Sequence, residues 1–397
     1  MSSVEDKIPE GWVETTLGEI SYFVKDKILI SDIDISNYIS TENLLPDRMG
    51  VVNATSLPNI SKVNNYKKGD TLFSNIRTYF KKVWYSDKEG GASNDVLIFR
   101  PKSKSKLHNR FLFYFISSDD FIDFTVKSAK GTKMPRGDKN AISSLSLKLP
   151  PLQEQKAIAQ VLTAFDDKIE NLQAQNQTLE TLAQTIFKEW FGKYQVDDEL
   201  PEGWRVGEIG DLTVIKRGGS PRPIKDYISD SGYRWLKISD ATATDSPYIF
   251  EIKEHIKVEG LSKTTLKKAG DLVLSNSATP GMPKFLAVDT CVHDGWMHFP
   301  SSIVSNEYLY LLFLHIRPKL VQQGSGSVFV NLKTDILRYY ETIIPSNQAL
   351  KDFDKLIKPV FDKILNNSKQ IQSLTKTRDT LLPKLMSGEL RVEGFKK

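Results

Sequence analysis

Two arginines flank a run of small, turn-forming residues at Arg217-Gly218-Gly219-Ser220-Pro221-Arg222-Pro223. Glycines let a backbone turn tightly and come close to a ligand. A guanidinium is a planar fork of donors that fits phosphate oxygens or the O6 and N7 atoms of guanine. Arg217, Ser220 and Arg222 are therefore candidate nucleic-acid contacts, although a plain turn between strands would use the same glycines. A second basic stretch runs from Lys127 to Lys139 and carries Lys130, Gly131, Thr132, Lys133, Met134, Pro135, Arg136 and Gly137. Lys130, Thr132, Lys133 and Arg136 can reach phosphates from such a loop, and a solvated charged loop is the competing reading. The matching stretch from Gly324 to Lys333 is less basic, with Ser327, Asn331 and Lys333 suited to hydrogen-bonded readout. Asn75 and Asn276 each follow a serine and are trailed by Arg77 and Thr279. An asparagine can pair with adenine in the major groove, and it can equally hold a turn. Tyr79, Lys81 and Lys82 extend the first of these surfaces.

Other reactive clusters are weaker. Cys291, His293, Asp294 and His298 are close enough to suggest a metal, yet no second cysteine or paired histidine frame completes a zinc site. They read as core or polar positions. Lys102, Lys104, Lys106 and Arg110 read as a solvated charge run, and Asp119-Asp120 and Asp166-Asp167 as helix-surface charges. No G-x-x-x-x-G-K-[ST] phosphate loop occurs, so no nucleotide-driven motor is indicated.

The elements that must position these residues are duplicated. Pro9-Glu10-Gly11-Trp12 returns as Pro201-Glu202-Gly203-Trp204, and Gly69-Asp70 through Ser74-Asn75 returns as Gly270-Asp271 through Ser275-Asn276. The period of about 195 residues is far beyond that of a solenoid and describes a duplicated domain. At 397 residues the chain holds two such domains with connectors. A formal net charge of +5 is weak evidence for nucleic acid, so any binding field must be local. The lone Cys291 suits a reducing compartment and excludes a disulfide framework. The N-terminal residues lack signal-peptide order, and no apolar run reaches about 20 residues, so the expectation is a cytoplasmic protein without membrane partners.

Domain boundaries follow from two long helical patterns. Residues 1–150 form the first variable unit, 151–199 the first helix and its connector, 200–346 the second unit, and 347–397 the second helix and tail. The first helix, over 151–191, carries the stripe Leu162, Phe165, Ile169, Leu172, Asn176, Leu179, Ala183, Ile186, Trp190. Its steps of 3 and 4 are a coiled-coil seam. The second, over 347–387, repeats it in register as Ile357, Val360, Ile364, Asn367, Ile371, Leu374, Arg378, Leu381, Leu385. A two-fold relation between the repeats makes these helices antiparallel and returns the C-terminus towards the N-terminus. Pro383 is expected to end or kink the second helix. Asn176 and Asn367 either fix the register or lie at a frayed, wet edge. The units read as α/β or α+β. Strands are expected at Val96–Phe99 and at Lys284–Val288, with helices at Arg110–Thr125 and Glu307–Gln323. The fold class is thus two similar α/β (α+β) domains joined by two long antiparallel coiled-coil helices, with pseudo-two-fold symmetry.

Leu149-Pro150-Pro151-Leu152-Gln153-Glu154-Gln155, Phe187-Lys188-Glu189-Trp190-Phe191, Leu200-Pro201-Glu202-Gly203-Trp204 and Leu381-Leu382-Pro383-Lys384-Leu385-Met386-Ser387-Gly388-Glu389-Leu390, on this duplicated frame, resemble the specificity subunit of type I restriction–modification systems. The second proline motif, Ile344-Pro345-Ser346-Asn347, departs from the pattern. The resemblance implies that each unit is a target recognition domain reading one half of a bipartite double-stranded DNA target. It implies that the helices space the units and dock two methyltransferase subunits, which restriction subunits then join. The chain would be non-catalytic and bind no cofactor. S-adenosylmethionine, ATP and Mg would belong to the partners. Consistent with this, the only Pro-Pro, Pro150-Pro151, sits between leucines and is not the Asn/Asp-Pro-Pro-aromatic motif of an amino-methyltransferase. A fused methyltransferase or nuclease would need a cofactor module for which the chain has no room. A scaffold that joins proteins without touching DNA is the alternative.

Overall fold

A computed structural model describes residues 8–131, 133–323, 331–392 and 394. The chain divides into two compact units, residues 1–169 with 373–397 and residues 170–372. Each unit therefore contains one mixed α/β domain and a stretch of both long helices, α1 (Leu152–Phe187) and α2 (Asn347–Ser387).

In the first unit, Val13–Thr16 pairs antiparallel with Ser146–Leu149, the strand that leads through Pro150-Pro151 into α1. One sheet runs Ser21–Phe23, Val96–Pro101, Thr71–Ser74, Val83–Tyr85; the other runs Lys27–Leu29, Lys62–Tyr66, Gly90–Ala92, Tyr38–Ile39. The second unit repeats this frame. Arg205–Glu208 pairs with Glu341–Ile344 before α2. Its sheets run Thr213–Arg217, Trp296–Ser302, Leu272–Ser275, Pro283–Leu286, Tyr248–Ile249, and Ile228–Ser229, Glu254–Ile256, Tyr233–Leu236, Thr290–Val292, Thr265–Lys267. The added strands differ between the units, whereas the shared ones keep their pairing.

The repeated sequence words are turn chemistry. Gly69 and Gly270 adopt φ of 90° and 93°, a region open to glycine and costly for other residues. The aspartate that follows each closes the turn. Asp70 accepts the Lys67 N–H at 2.8 Å and Asp271 accepts the Lys268 N–H at 2.9 Å.

The helical stripes are the buried faces. All nine positions of each are buried or half-buried. Within the first unit the helices run antiparallel, with Glu154 of α1 meeting Arg391 beyond α2, and Asp166 meeting Arg378 at 2.8 Å. Ile158, Leu162, Leu382 and Leu385 join the core of that domain. Within the second unit they run antiparallel as well. Asn176 meets Asn367 at 3.0 Å, and Trp190 packs on Phe353. Phe187, Phe191, Phe353 and Phe361 join the core there.

The two asparagines are register devices. Asn367 is fully buried and donates to Asn176 Oδ1, while Asn176 Nδ2 donates to Ser368 Oγ at 3.1 Å. Asp166, on the surface by expectation, is instead sheltered. It accepts the Tyr114 hydroxyl at 2.6 Å and pairs with Arg378. The C-terminal segment does return to the N-terminal one. The Arg391 guanidinium bonds the buried Glu154 carboxylate and the Glu10 carbonyl, and Glu154 also accepts Trp12 Nε1 at 2.9 Å.

Three boundaries differ from expectation. Pro383 does not end α2, which continues to Ser387 because Leu382 and Leu385, on either side, are held in the first unit's core. The stretch Arg110–Thr125 is two helices, Asn109–Ser117 and Asp119–Lys127, because Ser118 Oγ caps the second by accepting the Phe121 N–H. α1 ends at Phe187 and widens into a π-type turn, Lys188–Gly192. No helix among the described residues is long and apolar enough to cross a membrane.

Removing one asparagine of the pair strands a buried amide group at a cost of about 1–3 kcal/mol. Asn367→Leu should therefore lower stability by that amount. The Asn176→Leu/Asn367→Leu double variant should recover most of it, since an apolar pair at a seam is tolerated at the expense of register. Urea unfolding of the wild type, both single variants and the double variant measures this; a double variant that loses the sum of the single losses would show that the pair has no mutual contact.

Candidate nucleic-acid interface

In the first unit, strand Thr71–Ser74 delivers Asn75, and the chain then turns through Arg77 to Lys81, both with positive φ of 50° and 52°. The basic loop folds back as a closed arch, since Lys130 and Arg136 exchange both backbone hydrogen bonds at 2.8 and 2.9 Å. The arch docks on the turn through Arg77 N–H to Pro135 O at 3.0 Å and Gly137 N–H to Asn75 O at 3.3 Å. A third loop joins them, with Asp47 and Arg48 donating their N–H groups to the Phe80 and Lys81 carbonyls. Arg77, Tyr79, Lys133 and Arg136 are thus brought together and exposed. So are Phe80, Met49 and Met134. Tyr79 and Phe80 lie with ring centroids 4.7 Å apart. A cation-rich surface carrying solvent-exposed aromatics suits nucleic acid, because lysine and arginine meet phosphates and rings meet base faces or edges.

The second unit assembles a different set on the same frame. Arg217, Ser220, Arg222 and Asn276 converge on one residue, Asp294. Its carbonyl accepts Arg217 Nη2 at 2.7 Å and Asn276 Nδ2 at 2.9 Å, and its carboxylate accepts Ser220 Oγ and Arg222 Nη2. The hydrogen bond from Ser220, with Arg222 nearby, holds the Asp294 carboxyl below the usual carboxylate range. Asn331 and Lys333 are exposed beside this group, because Leu332 N–H donates to Asn276 O at 2.8 Å. The equivalent bond in the first unit is Gly137 to Asn75, so Leu332 and Gly137 occupy equivalent places, while residues 324–330 of the second loop lie outside the described residues.

Several candidates take other roles. Asn75 and Asn276 are 5% and 1% exposed and donate to the Gly137 and Asp294 carbonyls. They hold the reading loops and present no amide to a base edge. Thr279 is half-buried, its backbone closing the turn after Asn276 and its hydroxyl hidden. Lys81 is paired with Asp119 at 2.8 Å, and Lys130 with Asp138. Arg110 of the charge run packs over the Tyr85 ring at 4.0 Å. Thr132 and Ser327 lie outside the described residues. Cys291 is fully buried, with its thiol pushed up to about 11 by burial, and His298 is buried, with its imidazole pushed down to about 4. No group of three or more metal-ligating side chains gathers among the described residues.

The sequence did not single out a groove of about 380 Å³ lined by Lys25, Lys27, Asn64, Asn94 and Lys139 over Val96, Leu97 and Ile98. Lys27 Nζ bridges Asn64 and Asn94 at 2.7 and 3.2 Å. These residues meet only through the folding of strands and the helix Lys139–Ser144 together, so no local spacing announces them. Phe80 could have been found as the apolar residue next to Tyr79 in a basic turn.

With the geometry in place, comparison identifies the frame. Residues 9–181 and 201–376 each match the type I restriction modification DNA specificity domain, and the chain belongs to that family, carrying two copies of the domain. It is 28% identical to the MjaIX specificity subunit of Methanocaldococcus jannaschii, over 73% of this chain and 71% of that one. It is 25% identical to the HindI specificity subunit of Haemophilus influenzae, over 96% and 99% of the two. The crystal structure of the type I restriction–modification S subunit from M. genitalium shares the fold, with a TM-score of 0.61 at 15% identity over 97% of this chain and 98% of that one.

The two kinds of contact separate by salt. Replacing Tyr79 and Phe80 together by alanine should weaken DNA binding by roughly tenfold and leave the salt dependence unchanged, as expected for lost ring contacts. Lys133→Ala should instead make the logarithmic salt dependence shallower by about one unit. Titrations of labelled duplex at several salt concentrations distinguish them. Identical salt behaviour in both variants would remove the aromatic pair from the interface.

Proposed function

We propose that the chain is the non-catalytic DNA-specificity subunit of a cytoplasmic type I restriction–modification complex, each domain reading one half of a bipartite target. The observation that carries this is one duplicated frame presenting two different cationic surfaces. The first offers Arg77, Tyr79, Lys133 and Arg136; the second offers Arg217, Ser220, Arg222, Asn331 and Lys333. Equal frames give equivalent placement on DNA, and unequal loops give unequal half-sites.

The outward faces of α1 and α2 dock two methyltransferase subunits, and restriction subunits join that assembly. S-adenosylmethionine, ATP and Mg are used by the partners. A purely protein-joining scaffold would have no need for exposed arginines held in place on both domains.

The helices set the gap. α1 is 36 residues long, which at about 1.5 Å per residue is a rod of roughly 54 Å. Two equivalent readers on one side of a duplex sit about one helical turn apart, roughly 34–36 Å, which leaves an unread gap of roughly 5–8 base pairs. Inserting about four residues into both α1 and α2, close to one turn each, should lengthen the gap by about one base pair and preserve both half-sites. Motif analysis of methylated DNA from cells carrying the insertion decides this. Native mass spectrometry of the co-expressed complex should show two methyltransferase chains per copy of this chain. A continuous target, or a saturated one-to-one complex, would contradict the proposal.

A further inference from the structure

A DNA-reading surface is expected to be poor in exposed carboxylates, because phosphate repels them. Each domain nevertheless places one among its candidate arginines, and both come from the same turn of the frame. In the second domain it is Asp294, between strands Thr290–Val292 and Trp296–Ser302. In the first it is Asp95, between Gly90–Ala92 and Val96–Pro101.

The second-domain arrangement is built tightly. Gly218 N–H donates to the Trp296 carbonyl at 2.9 Å and Gly219 N–H to the Val292 carbonyl at 3.2 Å, laying the arginine loop along the turn. A Cβ at Gly218 would come within 2.4 Å of the His293 and Val292 carbonyls, so only glycine permits this approach. Asp294 then holds Ser220 on one carboxylate oxygen and Arg222 on the other at 3.3 Å, while its carbonyl holds Arg217. In the first domain, Asp95 Oδ1 accepts Arg136 Nε and Nη2 at 3.2 and 3.0 Å. Both arginine side chains remain largely exposed, 72% for Arg222 and 54% for Arg136. Each guanidinium is thus tied at one side, Arg136 through Nε and Nη2 and Arg222 through Nη2, with the rest of the side chain exposed.

We infer that Asp294 and Asp95 are specificity-determining positioning residues that hold Arg222 and Arg136 for the guanine edge and oppose their capture by phosphate. A tied guanidinium keeps donors for O6 and N7 and has less rotamer freedom to lose on binding. To bind a phosphate instead, the arginine must bring the phosphate close to the carboxylate or break away from it. Non-target DNA, which offers chiefly phosphates, is therefore disfavoured more than target DNA. This inference rests on the proposal that these surfaces contact DNA.

The test uses the full chain in its purified complex, with a duplex bearing the target found by methylation sequencing and a scrambled duplex of equal length. Asp294→Asn keeps the shape and removes the charge. It should tighten binding to the scrambled duplex and steepen its logarithmic salt dependence by up to about one unit, as for one less charge opposing phosphate. It should lower the target-to-scrambled affinity ratio by about tenfold, within the span of one guanine contact, with the relaxation confined to a guanine of the second half-site. Asp95→Asn should do the same to the first half-site alone, and the untouched half-site in each variant reports that the chain is folded. Arg222→Ala is the control. If it weakens target binding while both aspartate variants keep the wild-type ratio, or lose target and scrambled binding in parallel, the positioning role is overturned. If Arg222→Ala and Arg136→Ala change neither duplex, the surfaces do not contact DNA and the underlying proposal falls with it.

Discussion

Everything else in the molecule depends on two helices keeping one register along a narrow apolar stripe. Leucine and isoleucine supply adhesion at such a seam and little preference for one alignment over the next turn. Polar groups supply the preference. In the first unit a sheltered Asp166 needs both Arg378 and the Tyr114 hydroxyl. In the second, Asn176 and Asn367 need each other. A shift by one turn would strand a half-buried charge in the former and a buried amide in the latter, and such groups are costly without partners. Tyr114 belongs to the short helix Asn109–Ser117 of the first domain and not to α1 or α2, so the contact that sets the helical register also fixes the domain upon it.

Duplication then divides the labour between frame and loops. The turns around Gly69-Asp70 and Gly270-Asp271 and the buried Asn75 and Asn276 are the same device twice. They place a reading turn, an arch and a tight inter-strand turn side by side. What these carry differs. The first domain shows rings and lysine, the second an arginine loop anchored on Asp294. The closures of the units differ as well. Glu154 bonds Trp12 and Arg391 in the first, while Trp204 of the second packs at a tilt between Phe191 and Tyr194.

Periodic features were legible in the sequence. Both stripes were visible because their 3-and-4 spacing repeats over many turns, and the repeats showed where the second copy of each turn must lie. The grouping of Arg217 with Arg222 followed from local composition, whereas Arg77 and Arg136 meet only because the arch docks on the turn after Asn75. Pro383 was misleading because its local cost is outweighed by burial of Leu382 and Leu385, which no window around the proline displays. Asn75 and Asn276 were ambiguous because a residue kept by both copies can serve the frame or the ligand, and burial alone separates the two. Asp294 stood beside a cysteine and two histidines and invited a metal reading; its partners Ser220 and Arg222 lie more than 70 residues away. The groove of Lys25, Lys27 and Lys139 is equally a product of tertiary folding.

The central claim is that one chain carries two independent readers. The direct measurement exchanges residues 8–150 for the corresponding domain of a relative with a different target, and sequences the methylated DNA of cells carrying the hybrid. The account predicts that one half of the recognised sequence changes to the relative's, while the other half and the gap stay as they were. A hybrid that forms an active complex but changes both halves, or neither, would contradict it.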